Sequence, residues 1–214
     1  MSQAIIFDFD GTIADTLSQV IKILNLYAPK HGLSAVPQKE IDKMKDYGAK
    51  EILAKFKISP IEAIQVIRVV RSEQKKSIAY VRIFPGIKDV IAKLKKQHLK
   101  VGIVTSNSKT NVQKFLKENK IKEIDFIYSE NSMFGKANKL TKVIKAQKLN
   151  KSDVIYVGDE VRDIEAAHKA GISVIAVTWG FNSKKRLEQS KPDYLITKPE
   201  QILQVVKSNS GNKN

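Results

Sequence analysis

The chain contains no cysteine among its 214 residues. Disulfides and thiolate chemistry are therefore excluded, and any bound metal must sit on oxygen or histidine ligands. Histidine is scarce too. His31, His98 and His168 are scattered without ligand spacing, so each is read as an ordinary surface or core residue. That leaves oxygen donors. Long apolar runs are missing as well, and none approaches the roughly 20 residues of a membrane-spanning helix. The opening MSQAIIFDFDG lacks a basic region, and its apolar stretch is broken by Asp8, so no targeting segment is read there. The expectation is a cytoplasmic protein with no membrane partner. Acidic residues are few, 22 against 38 Lys and Arg, for a formal charge of +16. Such an excess suits nucleic acid or anionic small molecules. The lysines, however, are spread over most helical segments and lack interleaved aromatics on which bases would stack. Nucleic acid is therefore not the expected partner.

What is present describes a globular chain, with 42% hydrophobic and 28% charged residues. Its length suits one domain carrying a smaller insertion. Short apolar runs at Ala4–Phe9, Val101–Thr105, Phe126–Tyr128, Val154–Val157, Val174–Val177 and Tyr194–Ile196 are rich in Val and Ile. Several are apolar on both faces, as strands of a covered parallel sheet must be. Amphipathic stretches alternate with them at Ile87–Gln97, Asn111–Asn119, Lys139–Lys148 and Val161–Ala170. The pattern predicts an α/β fold with an open parallel, Rossmann-like sheet. Between Leu17 and about Val81 no convincing strand occurs. Helices are expected there over Leu17–Lys30, Gln38–Lys45, Ala49–Phe56 and Pro60–Ala79, punctuated by Gly32, Pro37, Gly48 and Pro60. So long a helical block exceeds an ordinary crossover. It reads as an inserted helical cap subdomain, with residues 17–81 as cap, 1–16 and 82–207 as core, and 208–214 as a disordered tail. Ile21, Leu24, Ile64, Ile67 and Val70 recur at helical spacing and are expected to form the cap core.

Chemistry concentrates at strand ends. Asp8 and Asp10 stand two apart in IIFDFDGT and face the same way on a strand. Open α/β sheets bind ligands at that end. A buried, unpaired carboxylate is costly, so a cation or a chemical task must offset it. Asp159 and Asp163 follow the run Val154–Val157 in GDEVRD, one helical turn apart. Alone, they read equally well as helix-start acids. Together with Asp8 and Asp10 they bring too much negative charge to one place without a cation, and hard oxygen ligands point to Mg²⁺. Thr105, Ser106, Asn107 and Ser108 offer hydroxyls and free backbone N–H groups before a helix, which suits a phosphate and equally a plain helix cap. Lys136, after Gly135 and between the third and fourth strands, reads either as one more solvated lysine or as a cation to neutralise the carboxylates and hold a phosphoryl oxygen.

The set DFDGT, VTSN, GK and GDEVRD, in this order, resembles the haloacid dehalogenase superfamily of phosphohydrolases. The resemblance covers almost the whole chain, helical insertion included, and FPGI with AGISVIAVTWGFN looks most like its phosphoglycolate-phosphatase-like branch. Ala137 departs from the proline that many relatives carry after the lysine. The resemblance implies that Asp8 is the nucleophile, forming an aspartyl-phosphate, and that Asp10 is the acid and then the base. It implies Mg²⁺ held by the Asp8 carboxylate, the Asp10 carbonyl and Asp159, with Asp163 and Thr12 supporting. Ser106, Asn107 and Lys136 would bind the phosphoryl oxygens. Family dehalogenases lack the second Asp, because a halide leaves without a proton and an alkoxide does not. Asp10 therefore favours phosphate-ester cleavage.

The substrate expected is a small phosphorylated metabolite, phosphoglycolate first among them. A phosphomutase, a pyrophosphatase, a nucleotidase and a basic nucleic-acid-binding or scaffolding protein remain as alternatives, and so do monomer and homodimer. Lys45, Tyr47 and Lys50 flank Gly48, where relatives have a substrate-contacting loop. They read as specificity residues or as solvated lysines around a packed tyrosine. Trp179 and Phe181 are expected to pack between sheet and loops.

Overall fold

The computed structural model describes residues 3–27, 37–48, 51, 52, 54, 59–129 and 135–211. Strand β1 (Ala4–Phe7) opens the chain and is followed by helices α1 (Thr16–Tyr27), α2 (Gln38–Met44) and α3 (Pro60–Ser77). A 3-10 turn, Ile78–Tyr80, closes this helical stretch. The regular alternation then begins: α4 (Ile87–Lys96), β2 (Lys100–Thr105), α5 (Lys109–Glu118), β3 (Phe126–Ser129), α6 (Lys136–Ala146) and β4 (Val154–Gly158). It continues through α7 (Val161–Ala170), β5 (Ser173–Val177), α8 (Lys184–Gln189), β6 (Tyr194–Ile196) and α9 (Gln201–Gly211).

All six strands run parallel in the order β3-β2-β1-β4-β5-β6. This is the open parallel sheet that the apolar runs predict. The strand order reverses between β1 and β4, and a crevice opens there outside the carboxyl ends. Alternation divides the core in two. Ile5, Phe7, Val101, Ile103, Ile155 and Val157 pack on one face of the sheet. Ala4, Ile6, Val104, Val154 and Tyr156 pack on the other. Both faces are covered, which explains why these strands read as continuous hydrophobic runs.

Close packing limits what the sheet tolerates. Gly102 on β2 pairs with Phe126 on β3, and a Cβ at Gly102 would lie 2.0 Å from the Phe126 ring. Gly102→Ala is expected to cost about 1–3 kcal/mol through overpacking. A lowered urea midpoint at unchanged slope would register this, and an unchanged midpoint would contradict it.

Several expectations need adjusting. Strand β1 stops at Phe7 rather than Phe9, although Asp8 N–H still donates to the Val157 carbonyl at 2.8 Å. Helix α5 begins at Lys109, earlier than Asn111, because the Ser108 side chain caps it by accepting from Asn111 N–H. Helix α6 begins at Lys136 rather than Lys139, directly after Gly135 in a left-handed conformation. The disordered tail is corrected over residues 208–211, which continue α9. Buried Ile202 and Val206 anchor that helix, and the Gln201 side chain accepts from Thr197 and Lys198 N–H at its start. Most of the expected helix Ala49–Phe56 lies outside the described residues. Ile64 and Ile67 are not cap core but exposed, with Ile61 and Leu26. The less exposed side of α3 carries Ala63, Val66, Val70 and Gln74, and Ile64 stands about 100° around the helix from Ala63. On α1 Ile23 is buried, as is Thr16 at the helix start, while Ile21 and Leu24 are half-buried.

Candidate active site

Asp8, Thr12, Lys136, Asp159 and Asp163, all expected at the site, meet at the switch point. Asp8 leaves β1, while Phe9 turns into the core and stacks edge-on against Phe115 with centroids 5.1 Å apart. Gly11 then turns the chain at φ 77°, and a Cβ there would lie 2.2 Å from an Asp159 carboxylate oxygen. Only glycine permits both that conformation and that approach. The buried Thr12 hydroxyl donates to Asp159 Oδ1 at 2.8 Å. The β1 turn is thereby tied to the end of β4.

Lys136 reaches the same place from α6. Its Nζ donates to Asp8 Oδ2 at 2.9 Å and also to Asp163 Oδ1. It lies 5.6 Å from the Tyr156 ring centroid. Asp8, Asp163 and Lys136 are all buried. Asp163 Oδ2 accepts from the backbone N–H of Asp159 at 3.1 Å and of Glu160 at 3.0 Å. One lysine therefore ties the end of β1 to the first turn of α7, which Asp163 in turn holds against the end of β4.

The electrostatics follow from burial. Desolvation pushes Asp8 above the usual carboxylate range, against the pull of Lys136. Burial pushes Asp10 up to about 6, the Asp8 charge adds to this, and the Asn107 amide opposes it. Asp159 is raised well above its ordinary value by burial and by Glu160 and Asp163. Burial opposes the charge on Lys136, yet Asp163 and Asp8 carry it well above the ordinary lysine value. Carboxylates outnumber cations here, and the chemistry of the donor set fits a hard divalent ion.

Carboxylate oxygens of Asp8, Glu160 and Asp163 lie within 4.8 Å of one another. Asp159, expected to join Asp8, has its carboxylate on Thr12 and on Phe181 N–H, at 2.8 and 2.7 Å. Glu160 is the acid that sequence reasoning passed over, because at a helix start it resembles an ordinary cap. Arg162 was passed over likewise. Its Nε donates to Glu160 Oε1 at 2.9 Å, and its charge bears on both Asp8 and Asp10. Their signal was the arginine within GDEVRD, since a helix start favours Asp and Glu but not a cation.

Ser106 sits half-buried in the bend after β2. Asn107, expected at a phosphate, turns its amide to Asp10, donating to its two carboxylate oxygens at 3.0 and 3.1 Å. Lys45 and Tyr47 lie in a loop docked on the start of α8. Ser183 N–H donates to the Lys45 carbonyl at 2.9 Å, and Arg186 donates to the Asp46 carbonyl at 2.8 Å and to Glu51 at 3.0 Å. Lys50 lies outside the described residues. Trp179 packs against the core and donates from Nε1 to the Thr12 carbonyl at 3.1 Å.

Residues 5–177 match the family described as haloacid dehalogenase-like hydrolase. The chain belongs to this family. It is 32% identical to a phosphoglycolate phosphatase of Synechococcus elongatus, over 95% of this chain and 97% of that one. It is 26% identical to a pyrophosphatase of Bacillus mycoides, over 97% of this chain and 98% of the relative. Among solved structures, a haloacid dehalogenase-like hydrolase of Streptococcus pneumoniae superposes with a TM-score of 0.80 at 27% identity, covering 95% of this chain and 98% of that one. As a phosphatase of the haloacid dehalogenase family, the chain is a hydrolase. Among the described residues no helix is long and apolar enough to cross a membrane.

Proposed function

We propose that the chain is a Mg²⁺-dependent phosphatase of a small phosphorylated metabolite, working through an aspartyl-phosphate on Asp8. The observation that carries this reading is Lys136 bridging Asp8 and Asp163, with Asp10 near enough to feel the Asp8 charge. Asp8 attacks phosphorus, and the phosphoryl group passes to its carboxylate as the bond to the leaving oxygen breaks. Asp10 gives that oxygen its proton, and afterwards takes one from the water that hydrolyses the aspartyl-phosphate. Lys136 and Ser106 hold phosphoryl oxygens and keep them in line with Asp8. The ion would be held by Asp8 and the Asp10 carbonyl, with Asp159 and Glu160 supplying the acids of the β4 end. When bound, it neutralises charge that would otherwise repel a dianionic substrate. The helices of residues 17–81 act as the cap that closes over this crevice, with the loop of Lys45 and Tyr47 facing the substrate.

Phosphoglycolate is the first substrate proposed, supported by the S. elongatus relative. Pyrophosphate is the second, supported by the B. mycoides relative. A screen of phosphate monoesters and pyrophosphate, with Mg²⁺ and then with excess chelator, tests the reading. Hydrolysis that needs the ion is expected, falling at least ~100-fold on chelation. Hydrolysis indifferent to chelation, or none on any substrate with Mg²⁺ present, would overturn it.

A further inference from the structure

The residues around Asp10 form a chain of amides. Asn111 stands in the first turn of α5 and is buried. Its Nδ2 donates to Asn107 Oδ1 at 2.9 Å. Ser108 N–H donates to the same oxygen at 2.8 Å. The Asn107 backbone is held as well, its N–H donating to Thr105 Oγ1 at 3.0 Å and its carbonyl accepting from the Ser129 hydroxyl. With two donors fixed on Oδ1, the amide has one satisfactory orientation. Turned over, it would set its oxygen against the Asp10 carboxylate and its NH₂ against two other donors. In the orientation present, Nδ2 faces both oxygens of Asp10.

We propose that Asn111 is a positioning residue that acts through Asn107 to aim Asp10 at the leaving-group oxygen. This rests on the phosphatase reading above, because an aimed acid matters only where a proton must be delivered. The step balances as follows. Asp8 forms its bond to phosphorus, and the bond from phosphorus to the ester oxygen breaks. The proton on one Asp10 oxygen passes to that ester oxygen, while the other Asp10 oxygen keeps its hydrogen bond to Asn107. A carboxyl free to rotate would spend much of its time with the proton turned elsewhere, and small misplacements of reacting groups are costly.

An alkyl phosphate expels an alkoxide, which needs the proton. p-Nitrophenyl phosphate expels a stabilised phenolate, which does not. The value of kcat/KM reports transfer up to the first irreversible step, so the later use of Asp10 as a base does not enter it. For Asn111→Ala, kcat/KM on the alkyl substrate found by the screen is expected to fall at least ~10-fold more than on p-nitrophenyl phosphate, a modest share of what a general acid contributes. Asn111→Asp has nearly the same shape but turns an acceptor toward Asn107 Oδ1, so its ratio should shift at least as far. It serves also where the alanine variant fails to fold. Equal losses on the two substrates, or no loss on either in a folded variant, would overturn the proposal while leaving the phosphatase reading intact. Wild-type protein inactive on both substrates would instead end the parent reading, and this proposal with it.

Discussion

Asp8→Asn is expected to abolish turnover, lowering kcat on the order of 10⁵-fold, the scale of removing a nucleophile from a covalent mechanism. The amide matches the carboxylate in shape, so the loss will not come from collapse of the site. Lys136 keeps its second partner, Asp163, and the two backbone N–H groups on Asp163 are untouched. What disappears is the anionic carboxylate oxygen, the nucleophile toward phosphorus, which an amide oxygen does not replace. Phosphate should still bind the variant, because the change also removes a negative charge that repels it. Two measurements check this together. Acid-quenched single turnovers should trap phosphorylated wild type and no phosphorylated variant, and calorimetric titration with inorganic phosphate and Mg²⁺ should show binding to both. A variant within ten-fold of wild-type kcat would remove Asp8 from the nucleophile's role.

How much of this was legible follows from what a one-dimensional pattern records. The strands were legible because a parallel sheet covered on both faces makes Ile5 and Ile6 equally apolar, though they point into different cores. The acids at strand ends were legible because a carboxylate ending an apolar run conflicts with burial unless something offsets it. Helix α6 was misjudged at its start for the opposite reason. Lys136 and Lys139 are buried there, while a periodic reading assigns lysine to solvent. Ile64 and Ile67 fail in mirror image, apolar residues that the fold leaves outside. The bond from Asn107 to Asp10 spans 97 positions. Residue type alone suggests a phosphate ligand for Asn107, and only the assembled crevice turns its amide elsewhere. Asp159 and Glu160 are neighbours in sequence whose carboxylates face different partners, which no spacing rule resolves.

The second large effect concerns stability. Lys136→Met removes the buried cation between Asp8 and Asp163. Methionine fills much of the same volume, so packing is largely kept, and the cost falls on two carboxylates left close together and dry. Removing one partner of a buried ion pair typically costs about 3–5 kcal/mol. For a chain of this length that corresponds to a melting temperature lower by roughly 10 °C. The deficit should depend on pH with a definite sign. Asp8 is already raised by burial, and loss of the lysine removes the pull that opposed this. The folded variant then holds a proton that the unfolded chain has released, between the ordinary carboxylate value and the raised one. Its stability is therefore greatest below the ordinary carboxylate range and falls as pH climbs through the raised value. Mg²⁺ at a hundred times its dissociation constant should return about 2.7 kcal/mol, since it binds the folded form alone. Thermal unfolding in acid and at neutral pH, with and without Mg²⁺, separates these contributions. A variant that melts with the wild type at neutral pH without the ion, or that suffers most in acid, would mean that Lys136 does not neutralise the acids in solution.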